Sequence, residues 1–178
     1  MDHRVEQLIE RIAALEGEVR RLRDESEIRR LIAGYGPAVD ACVADAVAEC
    51  WTADGTYDVG PVYPTMTGGQ DFVDMVSSET HTGLVAGGCG HVMSAPLIHL
   101  EGDEAVAVGH HQLIRHDPDE DRFVVWRLTA SRWNLVRTDD GWRCRHRVHR
   151  MMNAEGDGKA LFAEAVAEFR ARRGPTGS

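Results

Sequence analysis

The sequence has no long apolar run and comparatively few basic residues. Its 178 residues include 20 Lys and Arg against 29 Asp and Glu, which gives a formal net charge of −9. No stretch approaches the roughly 18 consecutive apolar residues of a membrane-spanning helix, and the first residues lack the basic-then-apolar order of a signal peptide. Nucleic acids and anionic membranes attract positively charged surfaces. We therefore expect a cytoplasmic protein that binds neither.

Cysteine pairs and the common cofactor motifs are also missing. The four cysteines, at positions 42, 50, 89 and 144, lie far apart, which predicts neither a disulfide framework nor a zinc site. The nine histidines include no His-x-His or Glu-x-x-His motif, whereas metal ligands must converge on one point. A glycine-rich nucleotide loop, a Walker loop and a serine nucleophile elbow are absent as well. We expect no metal site and no cofactor.

Helical patterns precede strand patterns along the chain. Helices are expected at 3–34, 28–39, 44–51, 70–78 and 159–172, and Pro37 is expected to kink or break the second of them. Strands are expected at 56–59, 91–100, 104–116, 122–137 and 142–152, and turn residues separate the last four. This order predicts an α+β fold in which helices cover one face of a curved antiparallel meander.

The first helix has an apolar stripe with the period of a coiled coil. Val5, Leu8, Ile12, Leu15, Val19 and Leu22 are spaced alternately three and four residues apart. Such a short helix is marginal alone, so it either docks on its own domain or associates with another helix. We divide the chain into an amphipathic helix at 1–24, an α+β domain at 25–173 and a loose tail at 174–178.

The last predicted strand alternates two kinds of residue. Trp142, Cys144, His146, Val148 and Arg150 form one set, and Arg143, Arg145, Arg147 and His149 form the other. Alternation predicts that the first set is buried and that the second faces water or a charged interface. Arg150 continues the apolar set, so it either extends to water at the rim or binds an anion or carbonyl at a cavity mouth. We expect a homodimer or homotrimer that buries the basic set against acidic side chains.

Three side chains have the chemistry of an acid–base site. Tyr35 and Asp40 are five residues apart in a segment rich in Ala, Val and Gly, and His91 opens the first long strand. A His oriented by a buried carboxylate is a common general base near neutral pH. Each residue also has a structural interpretation: Asp40 as a helix cap, Tyr35 as core and His91 as the start of a strand. The trio is our candidate catalytic group.

The order of several short motifs resembles the SnoaL-like branch of the nuclear-transport-factor-2-like superfamily. The motifs are Ile28-Arg29-Arg30-Leu31-Ile32 followed by Tyr35 and Asp40, Trp51-Thr52-Ala53-Asp54-Gly55-Thr56-Tyr57, Gly90-His91-Val92, Val125-Trp126-Arg127, Arg132-Trp133-Asn134-Leu135 and Asp140-Gly141-Trp142-Arg143. The resemblance implies an α+β cone, in which helices pack on the concave face of a bent antiparallel sheet and close an apolar pocket.

Two groups of lyases in this superfamily are similar in individual motifs. The segment 72–78 and His111-Gln112-Leu113 resemble scytalone dehydratase, and the Tyr35-x-x-x-x-Asp40 spacing resembles the bile-acid 7α-dehydratases. In these enzymes a His–Asp pair removes a proton next to a carbonyl while a Tyr or a water assists the leaving hydroxyl. The resemblance therefore implies His91 as general base and Asp40 as its partner, with Tyr35 and Tyr57 as candidate proton donors.

The resemblance also suggests a set of substrate-binding residues and an activity. Thr129 and Ser131 correspond to small polar pocket residues of scytalone dehydratase and share strand parity with Arg127. Together with Tyr57, His111 and Arg150, they complete the predicted substrate-binding set. The implied activity is that of a cofactor-free dehydratase or isomerase for a hydrophobic polycyclic or aromatic small molecule. Polyketide cyclases and non-catalytic binding or assembly subunits, such as dioxygenase small subunits, share the fold and remain alternatives.

Overall fold

A computed structural model describes residues 3–61 and 63–172, so the predicted loose tail at 174–178 lies outside the described residues. Within them the chain forms five helices and seven strands. The helices are α1 (His3–Asp40), α2 (Ala44–Ala48), α3 (Gly68–Ser77), α4 (Glu79–Ala86) and α5 (Asp157–Arg172). The strands are β1 (Trp51–Asp58), β2 (Met66–Thr67), β3 (Cys89–Met93), β4 (Leu97–Glu101), β5 (Glu104–Asp117), β6 (Arg122–Thr138) and β7 (Gly141–Met151).

The seven strands form one curved, unclosed sheet. Its order is β2-β1-β7-β6-β5-β3, and β4 pairs with β5 beyond the end of β3. The predicted meander is present as β5, β6 and β7, which pair antiparallel in sequence order. The sheet is antiparallel, as expected, in every described strand pair except one, because β1 runs parallel to β7. Parallel neighbours need a long connection, and here it is the whole chain from β2 to β6.

Each face of the sheet is covered by different helices. Residues of α1, α2 and α3 pack with one face around an aromatic core of Tyr35, Trp51, Tyr57, Phe72 and Trp133. We call this the inner face. The opposite, outer face contacts α5 through a smaller cluster of Val108, Ala165 and Phe169. The expectation that all helices lie on one face therefore holds for the early helices and fails for α5.

Helix α1 is continuous through Pro37, contrary to the expected break. Pro37 stands in the last turn, so the missing N–H removes only one helical hydrogen bond, and the buried side chains of Tyr35 and Val39 hold this turn against the core. The helix ends because Cys42 adopts a left-handed conformation (φ 54°). The amides of Cys42 and Val43 then donate to the carbonyls of Val39 and Ala38, which is the hydrogen-bond pattern of a Schellman motif.

Three further expectations of secondary structure were wrong in part. The short helix ends at Ala48, and Trp51 instead begins β1 with its ring buried. Helix α4 was not expected; it begins because the hydroxyl of Ser78 accepts a hydrogen bond from the amide of His81. The run at 91–100 is two strands, since Ser94 to Pro96 interrupts the ladder between them.

A β-bulge in β7 changes which of its residues face the core. Cys144 pairs with Leu135, but His146 pairs with Asn134, so Arg145 is an extra residue in the ladder. An extra residue reverses the alternation of the residues that follow it. Trp142 and Cys144 are buried before the bulge; after it, the buried residues are Arg147 and His149.

The predicted cationic face on β7 therefore does not exist as a set. Arg147 and His149 lie on the inner face, and Arg145 pairs with Glu104 of the same chain at 2.9 Å. The expectation that all four basic residues face water was wrong. Their positions therefore give no support to an oligomer interface that buries all four against acidic side chains.

The N-terminal part of α1 is not buried against the rest of the domain. Every residue from His3 to Arg23 is exposed, and the first anchor of the helix is Asp24, which accepts from the indole of Trp142 and pairs with Arg137. Of the two interpretations of this helix, docking on its own domain is thus wrong. No helix in the described ranges is long and apolar enough to cross a membrane.

We predict opposite effects for two glycine substitutions in α1. A Cβ on Gly36 would fall inside the contact radius of the carbonyl oxygen of His91, whereas a Cβ on Gly34 would meet no atom within 4 Å. Gly36→Ala should therefore lower the free energy of unfolding by about 1–3 kcal/mol through overpacking, and Gly34→Ala should raise it by about 0.5–1 kcal/mol through helix propensity. Urea denaturation of both variants measures this; equal effects would contradict the close approach of α1 to β3.

Candidate functional site

His91 and Asp40 form a hydrogen-bonded pair where the end of α1 meets β3. The Nδ1 of His91 lies 2.6 Å from Oδ1 of Asp40, and the backbone amide of His91 donates to Oδ2 at 2.9 Å. A carboxylate can only accept, so Nδ1 carries the proton of the neutral ring and Nε2 keeps its lone pair. The pair thus has the tautomer that a general base requires.

The position of this pair follows from the local fold. The Schellman turn ends α1 directly after Asp40, and Gly36 lets the helix approach the backbone of β3 at His91. The side chain of His91 is 13% exposed and that of Asp40 28%. The imidazole is therefore held inside the protein while its carboxylate partner stays in contact with solvent.

Four imidazoles form a continuous row along the inner face. The ring centroids of His81 and His91 are 5.8 Å apart, those of His91 and His111 are 5.6 Å apart, and those of His111 and His149 are 4.7 Å apart. The hydroxyl of Tyr57 lies 2.8 Å from Nδ1 of His149 at the end of the row. The row connects the His91–Asp40 pair to the centre of the sheet.

The surroundings of His91, His111 and His149 lower the pKa of each ring, which favours its neutral form. Burial lowers the pKa of His111 to about 2, and the guanidinium of Arg147 contributes in the same direction. Burial and the same guanidinium hold the pKa of His149 well below its ordinary value. Burial also lowers the pKa of His91, although the hydrogen bond and charge of Asp40 oppose that shift. Each of these three shifts favours the neutral ring at neutral pH.

Arg147 is a buried cation on the inner face beside this row. Its exposed fraction is 0%, and no carboxylate of the described residues lies within 4.0 Å of its guanidinium. The guanidinium stacks at 3.7 Å from the centroid of Trp133 and at 4.7 and 4.8 Å from those of Tyr35 and Tyr57. Its Nε donates to the hydroxyl of Ser131 at 3.2 Å. Aromatic rings and a hydroxyl replace the acid that usually accompanies a buried Arg.

Several buried polar atoms here have no hydrogen-bond partner among the described residues. They are Nη1 of Arg147, both ring nitrogens of His111 and the hydroxyl of Tyr35. Buried polar groups are nearly always paired in folded proteins, because leaving one unpaired costs about 1–3 kcal/mol. Three such side chains in one interior are therefore candidates for binding a polar group of a ligand.

The predicted substrate-binding residues other than His111 and Arg150 differ in how closely they approach the buried cluster. Tyr57 and Ser131 belong to the buried cluster, where the hydroxyl of Ser131 lies 2.9 Å from Nε2 of His149. Thr129 is also buried, but its hydroxyl donates to the carbonyl of His111 at 3.3 Å. Arg127 is half-buried and contacts the ring of Tyr63, with Nη2 at 3.4 Å from its hydroxyl.

Arg150 is the predicted residue that the structure separates from the cluster. Because it follows the bulge in β7, it lies on the outer face, where Nη2 pairs with Asp58 at 2.6 Å. The expectation that Arg150 continues the buried face was wrong. The bulge gives that place to Arg147 and His149, which the alternation pattern had assigned to water.

Sequence reasoning missed three members of the cluster for identifiable reasons. Arg147 and His149 were hidden by a bulge that no local pattern marks. His81 lies on α4, a helix that was not expected, and its Nε2 bonds to the carbonyl of Val39 at 3.0 Å. The signal that could have found His81 is Ser78, since a serine three residues before a helical amide is a typical N-cap.

The described residues include one group with metal-ligand chemistry. Donor atoms of Asp40, Cys89 and His91 lie within 4.8 Å of one another. Burial raises the pKa of the Cys89 thiol, which disfavours the thiolate that binds metals, and Asp40 and His91 already satisfy each other. The group fits a hydrogen-bonded pair with a neighbouring thiol better than a metal centre.

Two cavities lie on the outer face, away from the cluster. One, of 240 Å³, is lined by Glu104 and Arg145 among others, and the other, of 390 Å³, lies between Arg150 and α5. Neither contains His91 or Arg147. The predicted apolar pocket on the inner face is not one of them and stays a prediction.

Solved structures with the same fold come from several bacteria. A cystatin-like-fold NTF2-like protein of Novosphingobium aromaticivorans is 35% identical, with a TM-score of 0.79 over 83% of this chain and 94% of that chain. A candidate scytalone dehydratase of the same organism is 17% identical, with a TM-score of 0.61 over 75% of this chain and 87% of that one. A protein described as a candidate aromatic ring hydroxylase of this organism is 21% identical, with a TM-score of 0.60 over 74% and 91%.

The family comparison agrees with the fold. No curated protein matches the chain. The model of the SnoaL-like domain matches residues 20–148, a range that contains α1 from its anchored part onward, the His91–Asp40 pair and the bulge of β7. The chain belongs to the SnoaL-like domain family.

Proposed function

We propose that the protein is a cofactor-free acid–base enzyme, a dehydratase or isomerase, that acts on a hydrophobic small molecule with a carbonyl group. The observation that carries this proposal is the 2.6 Å bond between His91 and Asp40 in the same buried cluster as Arg147, whose Nη1 has no partner among the described residues. The pair can remove a proton, and the cation can stabilise the negative charge that results. The likeness to a candidate scytalone dehydratase supports this reaction class.

His91 acts as the general base. Its Nε2 takes a proton from the carbon next to the carbonyl, and the electrons of that C–H bond form an enolate. Asp40 keeps the proton of the ring on Nδ1 and stabilises the imidazolium that forms. A positioned base of this kind contributes about 10²–10⁴ in rate.

Arg147 stabilises the enolate oxygen. Its Nη1 is buried and has no partner among the described residues, and hydrogen bonds from a preorganised cation gain strength in an interior that excludes water. The neutral imidazole of His111, with both nitrogens unpaired, supplies a further hydrogen bond to the same oxygen or to a neighbouring group.

Tyr35 hydrogen-bonds the departing or enolising oxygen without giving up its proton. Burial raises the pKa of its hydroxyl, so a tyrosinate is disfavoured. In a dehydration, the bond between carbon and the hydroxyl oxygen breaks, and the imidazolium of His91 returns its proton to that oxygen as water leaves. In an isomerisation, the same proton returns to another carbon of the enolate.

We predict that turnover depends on the His91–Asp40 pair. A mass-spectrometric screen of hydroxy-ketones and steroid-like ketones should reveal loss of water or a shifted double bond. His91→Gln should lower kcat about 10²–10⁴-fold without unfolding the protein, and Asp40→Asn should lower kcat with little change in KM. The exposed neighbour His110→Gln is the control. A binding subunit without chemistry would bind such compounds and leave them unchanged.

The pH dependence of this activity has a defined sign. A base must be neutral, so kcat/KM should fall as the pH drops through the pKa of His91, which burial holds below its ordinary value. Asp40 raises that pKa, and its replacement by Asn should therefore move the acidic limb to still lower pH. If the acidic limb of the kcat/KM profile lies at the same pH in Asp40→Asn and in wild type, Asp40 has no role in the mechanism.

We predict that Arg147 binds the anionic form of an enolate analogue. A phenolate resembles an enolate, and para-nitrophenol reports its ionisation by its visible absorbance. Wild-type protein should bind the anion preferentially, and Arg147→Met should lose at least about 10-fold in affinity, since a hydrogen bond to a charged group is worth about 1.5–3 kcal/mol.

The control for this experiment is Arg145→Met, which removes the same charge two residues away on the outer face. Circular dichroism verifies that both variants fold. Equal affinity in Arg147→Met and wild type would show that the buried guanidinium does not meet the ligand.

We predict that the neutral state of His111 destabilises the protein in acid. The unfolded chain takes up a proton on His111 near pH 6.5, but the folded chain does so only near the lowered pKa of about 2. Between these values unfolding is favoured by about 1.4 kcal/mol per pH unit. His111→Leu should remove this component from urea unfolding measured between about pH 6 and 4. His110→Leu, exposed on the outer face, is the control; identical slopes in the two variants would contradict a neutral His111.

A further inference from the structure

We propose that residues 5–22 of α1 form a parallel, two-stranded coiled coil with the same segment of a second copy of the chain. The segment is helical, and each of its residues is exposed. Its large apolar side chains, Val5, Leu8, Ile9, Ile12, Leu15, Val19 and Leu22, are between 43% and 63% exposed. A continuous apolar stripe of this kind on a helix usually packs against another element, because left exposed it keeps apolar surface in water.

The chain's own domain cannot cover this stripe. The part of α1 that packs on the domain uses a second stripe, which consists of Ile28, Ile32, Tyr35 and Val39. Six residues separate Leu22 from Ile28, which places the two stripes about 120° apart around the helix axis. A continuous helix that buries the second stripe in the domain therefore directs the first stripe away from it.

The residue types in the stripe favour a parallel dimer of two helices. With Val5 as position a of a heptad, the three a positions are Val5, Ile12 and Val19, and the three d positions are Leu8, Leu15 and Leu22. Branching at Cβ in a, together with Leu in d, favours parallel dimers over trimers and tetramers. Gly17 falls at position f, on the side farthest from the seam, where its lack of a side chain leaves no gap between the helices.

The charges that flank the seam are complementary in this arrangement. In a parallel pair, a residue at g lies against the residue at e of the next heptad of the partner. This places Arg11 against the partner's Glu16, and Glu18 against the partner's Arg23, each twice by symmetry. Glu18 also bonds to Arg21 within its own helix at 2.7 Å, so the pair across the seam shares this carboxylate.

The same charges disfavour an anionic membrane as the occupant. Residues 3–23 contain five Arg and four Glu, which is close to neutral, whereas helices that lie on anionic membranes have a strongly basic polar face. A second copy supplies both the apolar stripe and the complementary charges.

The experiment compares two neighbouring substitutions in the full chain. Leu15→Glu places a charge in the seam, and Ala14→Glu places the same charge at position c, outside it. Sedimentation equilibrium at micromolar concentration should give a dimer for wild type and for Ala14→Glu, and at least a 10-fold weaker dimer for Leu15→Glu. The melting temperature of the domain reports that each variant folds.

The orientation is tested by oxidative cross-linking. Leu22 meets Leu22 of the partner only in the parallel arrangement, so Leu22→Cys should form a covalent dimer that wild type, with its native cysteines, does not form. A monomer, a trimer, a dimer that Leu15→Glu leaves intact, or cross-linking only in a mixture of Val5→Cys and Leu22→Cys chains would each overturn the proposal. Flotation of wild type, but not of Leu15→Glu, with phosphatidylglycerol vesicles while the protein stays monomeric would do the same.

Discussion

The extra residue in β7 determines what lies inside this protein. The strand lies between β1 and β6, and its first residues contribute Trp142 and Cys144 to the apolar core. Without the insertion of Arg145, strict alternation would direct Val148 and Arg150 inward. With it, the interior receives Arg147 and His149. The same strand thus supplies a packed core at one end and a polar cluster at the other.

The buried cluster contains a positive charge without an adjacent negative one among the described residues. One buried cation is surrounded by aromatic rings and by imidazoles that its own charge helps to keep neutral. The nearest acid of the site, Asp40, serves His91 and reaches solvent. An interior of this kind has a positive potential with few compensating groups, which suits a reaction in which negative charge develops on a bound molecule.

The sequence predicted the structure correctly where the pattern of residues is local and periodic or where the family motifs mark it. The long strands β5, β6 and β7, the terminal helix and the meeting of Asp40 with His91 were all expected from spacing and from the family resemblance. The failures lie where tertiary structure overrides a local rule. Pro37 is tolerated because it falls in a last turn held by buried neighbours, and α4 depends on a single capping serine. The inward turn of Arg147 depends on the register of β7 against β6, which no residue of β7 encodes by itself.

Helix α1 is a single rod of 38 residues whose last turn contains Asp40. Each inserted residue rotates everything beyond it by about 100° and advances it by 1.5 Å. Between Asp24 and Asp40 even one insertion or deletion would turn the carboxylate away from His91 or the apolar stripe away from the core. Before Asp24 every described residue of the helix is exposed, so the length of this part can vary by whole heptads without disturbing the pair. Evolution of this chain can thus lengthen or shorten the exposed part of the rod while the anchored part stays fixed in length.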